Sequence, residues 1–213
     1  DSSGSITSLV YSDNVHLFSS TAGSGVSEWD LATRRAKRII SDPSGITVIG
    51  LSDRNAMLAA ITGEGKLVCW QNGKPLKYLP DPTGGRIRTA LEFIPESDRL
   101  ATGDNEGMIE IWDISAGKTQ SGAAGHMAAI NKIAFDMTDG QMITADVTGE
   151  LRLWTMTDLK QTPVVFTDGG KDVLNLAFSD NGEAFLAATR EEVIRRPAHI
   201  RSMTAGLCDK VSR

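Results

Sequence analysis

The sequence has few cysteines and no long apolar run, and each of these features excludes a class of protein. Cys69 and Cys208 are the two cysteines among 213 residues, too few for a disulfide framework or a cysteine-ligated zinc site. Apolar runs fall short of the ~20 residues that a membrane-spanning helix needs, so we expect no membrane insertion. Two cysteines are compatible with both a cytoplasmic and a periplasmic location.

Basic residues are also in deficit. The chain has 22 Lys and Arg against 27 Asp and Glu, which gives a formal net charge of −5. Nucleic-acid binders usually present a basic surface, so we expect no nucleic-acid partner. Hydrophobic residues make up 40% and charged residues 23% of the chain, which is typical of a folded globular protein rather than a disordered one.

The four tryptophans form one ladder. They lie 41, 42 and 42 residues apart, at Trp29, Trp70, Trp112 and Trp154. One further step of 42 residues ends at Arg196, where the local pattern VIRRP persists but the indole ring is lost. A fixed period of this length indicates repeated structural units, and five such units fill the chain.

A second ladder has the same period. Its pattern is a β-branched residue, two variable positions, an aliphatic residue, one variable position and a large apolar residue. Copies begin at Ile6, Ile46, Ile130 and Val173, and another starts one residue out of step at Ile87. Two independent ladders with one period are hard to produce by chance.

Each unit is predicted to form four short antiparallel strands. Runs such as SITSLVYS and INKIAFD are rich in β-branched and aliphatic residues that alternate with period two. Turn residues such as SDN and MTDG precede a second strand, a tight glycine turn follows, and the third strand carries the tryptophan. A single sheet of this kind cannot bury both faces, so the units are predicted to stack around an axis.

These residues resemble the WD-repeat β-propeller family. The segment GMIEIWD at 107–113 is similar to the third strand of a WD blade, and GHMAAINKIAF at 125–135 is similar to its Gly-His loop and first strand. The resemblance implies an all-β propeller of four-stranded blades, in a divergent bacterial, Bacteroidetes-like member. The implied blades span 4–45, 46–86, 87–129, 130–172 and 173–203, followed by a short helix at 204–213.

The resemblance also implies a larger ring. Members of the family usually have about seven blades, and closed rings of ~4–8 blades are sterically possible. We therefore expect the five repeats to belong to a larger propeller, whose missing blades or chain segment complete the ring. A closed ring of five blades is the alternative.

The family stabilises a blade with a tetrad of His, Ser or Thr, Asp and Trp. The best match here is His126, Thr144 and Trp154, with Thr148 at the position expected for the aspartate. The resemblance implies structural roles for Thr144 and for all four ladder tryptophans, which we expect to be buried between neighbouring sheets.

Catalytic chemistry is sparse. The three histidines lie in different repeats, and the sequence contains no HExxH, GxSxG or P-loop spacing. We therefore expect no enzyme activity, no catalytic residue, no cofactor and no metal.

The basic run RRAKR at 34–38 is interpreted either as a solvated edge strand that blocks unwanted strand pairing or as a partner-binding patch.

We predict a non-catalytic scaffold for protein–protein interaction, part of a larger bacterial protein. In the family, the face formed by the inter-blade loops and glycine turns usually takes peptides or domains. Two alternatives stay open: a small-molecule sensor or enzyme that uses the central funnel, and a structural component of a cell-envelope assembly. The residues that the repeat register places on or near the binding face are Arg86, Asn105, Glu106, His126, Lys171 and Arg190.

Overall fold

The computed structural model describes residues 4–12, 15–52, 54, 56–71, 74–76, 85–136, 140–167 and 172–199. Within these ranges the regular structure is nineteen β-strands in five antiparallel sheets, with no helix. This confirms the all-β class and the antiparallel sheets. The helix expected at 204–213 lies outside the described residues. No helix in the described ranges has the length and apolarity to cross a membrane.

The sheets follow one another along the chain, and we number them as blades 1 to 5. Blade 1 contains β1 (Ile6–Tyr11), β2 (His16–Thr21), β3 (Gly25–Asp30) and β4 (Arg35–Ile40). Blade 2 contains β5 (Ile46–Ser52), β6 (Met57–Thr62), β7 (Leu67–Gln71) and β8 (Lys74–Pro75). Blade 3 contains β9 (Arg88–Phe93), β10 (Arg99–Asp104), β11 (Met108–Asp113) and β12 (Lys118–Ala124).

Blade 4 contains β13 (Ile130–Asp136), β14 (Gln141–Asp146), β15 (Glu150–Thr155) and β16 (Val164–Thr167). Blade 5 contains β17 (Asn175–Phe178), β18 (Ala184–Ala188) and β19 (Val193–Pro197). Blade 5 thus has three described strands, and most of the segment 199–203, which shows no convincing strand pattern, lies outside the described residues. Within each blade the strands pair in chain order.

The first strands of successive blades lie side by side, in the order β1, β5, β9, β13 and β17. They surround a central space of about 590 Å³. The blades therefore fan out from this inner row, and each blade can bury both faces only against its neighbours.

Apolar layers fill the four spaces between successive blades. Trp112 of blade 3 packs in one cluster with Met57 and Cys69 of blade 2, and Trp154 of blade 4 packs with Ile109 and Ile111 of blade 3. Both tryptophans therefore face the preceding blade, and Trp70 of blade 2 likewise packs in the cluster that it shares with blade 1.

The four tryptophans differ in burial according to their blade. Trp112 and Trp154 are 2% and 3% exposed, whereas Trp29 and Trp70 are half-buried. Burial is therefore nearly complete for Trp112 and Trp154 and partial for Trp29 and Trp70. No described blade precedes Trp29, and on β1 of the same blade Leu9 and Tyr11 are 57% and 64% exposed. Blade 1 thus has an open apolar face.

A β-bulge at the start of the first strand recurs in blades 1 to 4. In these blades the register shifts at Thr7, Thr47, Thr89 and Asn131. A bulge rotates one side chain out of the regular alternation, and here it directs that side chain sideways.

Three of the bulge residues link adjacent blades. Thr7 Oγ1 donates to the Ile46 carbonyl at 2.6 Å, and Thr89 Oγ1 donates to the Ile130 carbonyl at 2.6 Å. Asn131 Nδ2 donates to the Val173 carbonyl at 3.1 Å. The acceptors lie at or just before the first strands of the next blades, so these hydrogen bonds fix the spacing of the inner row.

We expect Trp112→Ala to destabilise the protein by about 3–5 kcal/mol, because it empties a buried volume between blades 2 and 3. Trp29 is half-buried, so its truncation removes fewer packing contacts. Trp29→Ala should therefore lower the free energy of unfolding by less than about 3 kcal/mol. Guanidinium unfolding with linear extrapolation measures both values. Equal losses for the two variants would contradict the assignment of an open face to blade 1.

Candidate functional site

Blade 4 contains a buried chain of hydrogen bonds that joins three strands or loops. His126 Nδ1 lies 3.0 Å from Asp146 Oδ2, and His126 Nε2 lies 2.7 Å from Thr144 Oγ1. Trp154 Nε1 donates to the same Thr144 oxygen at 3.0 Å. An ionised Asp146 only accepts hydrogen bonds, so Nδ1 carries the proton and Nε2 accepts from the Thr144 hydroxyl.

The aspartate of this network is Asp146, so the expectation that Thr148 occupies the aspartate position is wrong. Asp146 is the last residue of β14, and its two carboxylate oxygens have different hydrogen-bond partners. Oδ2 faces His126, while Oδ1 accepts hydrogen bonds from the backbone N–H groups of Thr148 at 2.9 Å and Glu150 at 3.1 Å. The carboxylate therefore couples the turn after β14 to the loop before β13.

Blade 3 builds the same corner with arginine in place of histidine. Asp104 Oδ1 accepts from the backbone N–H groups of Glu106 and Met108, both at 2.9 Å, and Asp104 Oδ2 accepts from Arg86 Nη1 at 2.8 Å. The second Arg86 nitrogen lies 3.7 Å from Glu110 Oε1. A two-pronged guanidinium suits two carboxylates better than an imidazole does.

A second arginine, Arg88, lies deeper in blade 3. Its side chain is 1% exposed, and its guanidinium carbon stands 4.8 Å from the centre of the Trp112 ring. A cation over an indole face is attracted by the ring quadrupole, and Glu110 Oε2 lies 4.0 Å from Arg88 Nη2. Sequence reasoning missed this residue, although its place at the start of a first strand was visible.

The network is shorter in blades 1 and 2. Trp29 Nε1 donates to Ser19 Oγ at 2.8 Å, ten residues upstream, as Trp112 does to Thr102 at 3.1 Å. In blade 2 the corresponding position holds Ala60, which has no hydroxyl. The blades therefore differ in how firmly each indole is held.

Of the residues expected on the binding face, all but Lys171 are described, and these lie at one end of the sheets. They occupy the turns between second and third strands or the loops before first strands. The side chains of Asn105, Glu106 and Arg190 are exposed, and the Asn105 amide oxygen accepts from the Ile87 backbone N–H at 2.8 Å. Arg86 and His126 are instead largely buried in the networks described above. Lys171 lies outside the described residues.

The electrostatics of the blade 4 network favour neutral histidine. Burial lowers the pKa of His126 below its ordinary value, against the opposing charges of Asp146 and Glu150 and together with the charge of Arg152. Burial alone raises the pKa of Asp146, but the hydrogen bonds from Thr148 and Glu150 bring it below its ordinary value. The ionised aspartate and neutral imidazole therefore form the stable pair.

His126, Asp146 and Glu150 also have the donor types of a divalent-metal site, with ligand atoms within 4.8 Å of one another. The Glu150 carboxylate, however, accepts from Arg152 Nε at 2.6 Å, and both imidazole nitrogens are engaged. A metal ion would have to displace a guanidinium and the proton on Nδ1. The geometry therefore fits a hydrogen-bond network better than a metal centre.

We expect stability to fall as pH drops below about 6.5, because the unfolded chain then takes up a proton that folded His126 resists. The slope from this group is at most about 1.4 kcal/mol per pH unit and ends once pH falls below the folded pKa of His126. Unfolding free energies between pH 5 and pH 8 measure it. His126→Asn removes the titration, so an unchanged slope in this variant would contradict the buried neutral histidine.

The chain matches known proteins in sequence. The family model described as "WD domain, G-beta repeat" matches residues 73–113. Over 185 residues, or 85% of this chain, it is 22% identical to transcription initiation factor TFIID subunit 5 of Caenorhabditis elegans. It is 29% identical to Polycomb protein EED of Chaetomium thermophilum over 47% of the chain, and 30% identical to histone-binding protein MSI1 of Saccharomyces cerevisiae over 56%.

This chain spans 28%, 19% and 30% of the lengths of these three relatives, in the same order. All three come from eukaryotes, and the expected bacterial origin finds no support in them. The matched residues include β8 of blade 2 and the first three strands of blade 3, and they end with the Trp-Asp pair at 112–113. The family-model match and these relatives show that the chain is similar to WD40-repeat proteins, and the sheet architecture agrees with that similarity.

Proposed function

We propose that the protein is a non-catalytic scaffold that binds other proteins through the end of the sheets where the turns between second and third strands lie. The observation that carries this proposal is the buried Asp146 network, which fixes an exposed turn to a rigid sheet. Two relatives support it by their names, since MSI1 is a histone-binding protein and the Caenorhabditis elegans relative is a subunit of TFIID.

The proposed contact surface, which we call the turn face, consists of Asn105, Glu106 and Arg190 with the neighbouring loops. Rigid spacing favours binding because little conformational freedom is lost when a partner docks. Glu106 and Arg190 carry opposite charges on different blades, so they can set the orientation of a partner. Arg86 and His126 hold the loops from inside, and Lys171 is proposed as a further contact.

We expect the double variant Glu106→Arg, Arg190→Glu to lose partners that the natural protein captures from its own cells. Reversing exposed charges replaces attraction with repulsion and leaves the net charge unchanged. Quantitative mass spectrometry of the captured proteins measures the change, with an expected loss of about tenfold or more.

The matched control is Lys118→Glu, Glu183→Arg, which also exchanges two exposed charges but at the opposite end of the sheets. Both double variants should unfold at nearly the natural temperature, since exposed substitutions usually change stability little. Equal capture by the natural protein and the turn-face variant would refute the proposed surface.

We also infer that the open face of blade 1 packs against a further blade, which extends the five sheets toward a larger ring of about seven. The support is the register of the ladder, because Trp112 and Trp154 both lie against the preceding blade whereas Trp29 has none among the described residues. Exposed Leu9 and Tyr11 continue this apolar face on β1.

In the natural full-length protein we expect Leu9→Glu to lower the free energy of unfolding by more than about 2 kcal/mol, because it would bury a carboxylate between blades. Lys74→Glu on the exposed β8 is the control and should change stability by less than about 0.5 kcal/mol. Similar effects of the two substitutions would show that nothing covers this face.

The central space is the location at which the alternative function, a small-molecule sensor or enzyme, would act. Among the described residues that line it, Glu92 and Lys132 are the ionisable groups. One carboxylate and one ammonium make a poor set for acid–base catalysis, which is why we favour the scaffold. A role in a cell-envelope assembly stays a prediction.

A further inference from the structure

At one position on the third strands, blade 1 differs from the other blades in the residue that packs against the following blade. The residue before each ladder tryptophan faces the following blade, and in blades 2, 3 and 4 it is Cys69, Ile111 or Leu153. These side chains are 1%, 2% and 6% exposed. In blade 1 the same position is Glu28, a charged residue that cannot take part in an apolar layer.

A groove lies between blades 1 and 2, and Glu28 is one of the residues that line it. It has a volume of about 490 Å³, and its apolar surface includes Phe18 of β2, Leu51 of β5, Leu58 of β6 and Trp70 of β7. Trp70 is half-buried here, whereas its equivalents Trp112 and Trp154 are enclosed. The volume is too large for a packing defect and lies in the range of ligand-binding clefts, so the groove has room for a large apolar side chain.

The groove opens beside a basic edge strand. Residues Arg34, Arg35, Lys37 and Arg38 lie on or just before β4, and Lys37 and Arg38 also line the groove. Within the described residues none of these four side chains forms an ion pair; Arg38 donates to the Ser24 carbonyl at 2.9 Å. Facing positions of β3 hold two acids, Glu28 and Asp30, so the edge has an excess of positive charge.

The backbone of β4 also has a free side. β4 pairs with β3 and, among the described strands, with no other. Its outer row of N–H and C=O groups can therefore accept an additional strand, the arrangement by which an extended peptide joins a sheet edge. Charged side chains on such an edge discourage indiscriminate pairing, and they attract a strand of opposite charge.

We propose that β4 and the adjoining groove form a binding site for an extended acidic peptide that carries one large apolar side chain. The peptide backbone adds to the free edge of β4, its carboxylates face Arg35 and Lys37, and its apolar side chain fills the groove over Trp70. The site is separate from the turn face, so the result of its test is independent of the function proposed above.

The positive charge, the free strand edge and the apolar groove together favour a peptide over other anions. A nucleic acid could satisfy the cations but has no regular row of backbone donors and acceptors for a strand edge, and the groove between Phe18 and Leu58 is apolar. An acidic peptide satisfies the charges, the edge and the groove together.

The test measures fluorescence anisotropy of a fluorescein-labelled peptide, Glu-Thr-Glu-Thr-Leu-Thr-Glu, on addition of the natural protein. In an extended strand its glutamates and its leucine lie on one face, as Arg35, Lys37 and the groove require. We expect saturable binding that weakens about tenfold or more when the peptide leucine becomes serine or its glutamates become glutamines. Bound peptide should also slow hydrogen exchange of the β4 backbone amides. Absence of saturable binding, or stronger binding of oligothymidylate than of the peptide, would overturn the proposal.

Variants of the protein locate the site. Arg35→Glu with Lys37→Glu should weaken peptide binding about tenfold or more, whereas Lys118→Glu, at the position of blade 3 that corresponds to Arg35, should not. Glu28→Phe should fill the groove and reduce affinity, while Glu28→Gln, which removes the same charge without filling it, should preserve or increase affinity. Unchanged peptide affinity in the Arg35→Glu, Lys37→Glu variant would contradict the proposed site. Equal effects of the two Glu28 variants on peptide affinity would also contradict it.

Discussion

Burial of both faces of each sheet against its neighbours is the constraint on which the rest of this structure depends. A four-stranded sheet alone leaves both of its apolar faces in water, so every blade needs a blade on each side. The tryptophan ladder answers this need, because Trp112 and Trp154 fill the spaces toward the preceding blades. Hydrogen bonds from Thr7, Thr89 and Asn131 to the next blade then set the inner spacing.

Departures from this repeated packing are where function is expected. Polar networks at Asp104 and Asp146 tie exposed turns to the sheets, which makes a rigid surface out of connecting segments that are ordinarily mobile. Glu28 replaces an apolar layer residue, and a groove lies beside the apolar core between blades 1 and 2. The same scaffold therefore offers two kinds of surface, one formed by turns and one by a strand edge.

Much of the fold was predictable from the sequence because period and alternation survive divergence. The positions of Trp29 and Ile6 in their ladders were sufficient to predict successive antiparallel sheets. Asp146 was missed because the aspartate was sought two residues downstream, within the turn rather than at the strand end. The link from Asn131 to the next blade depends on a bulge, and alternation cannot reveal where a strand breaks its own register. Differences in tryptophan burial depend on neighbouring blades, which no single repeat encodes.

Hydrogen exchange of the four indole N–H groups, followed by NMR after transfer to heavy water, tests the central packing claim most directly. The account predicts that the signals of Trp112 and Trp154 persist longest, because both indoles are buried and hydrogen-bonded to threonine. Trp70, which faces Ala60 and the open groove, should exchange fastest. Exchange of Trp112 and Trp154 as rapid as that of Trp70 would contradict the stacking of blades around their tryptophans.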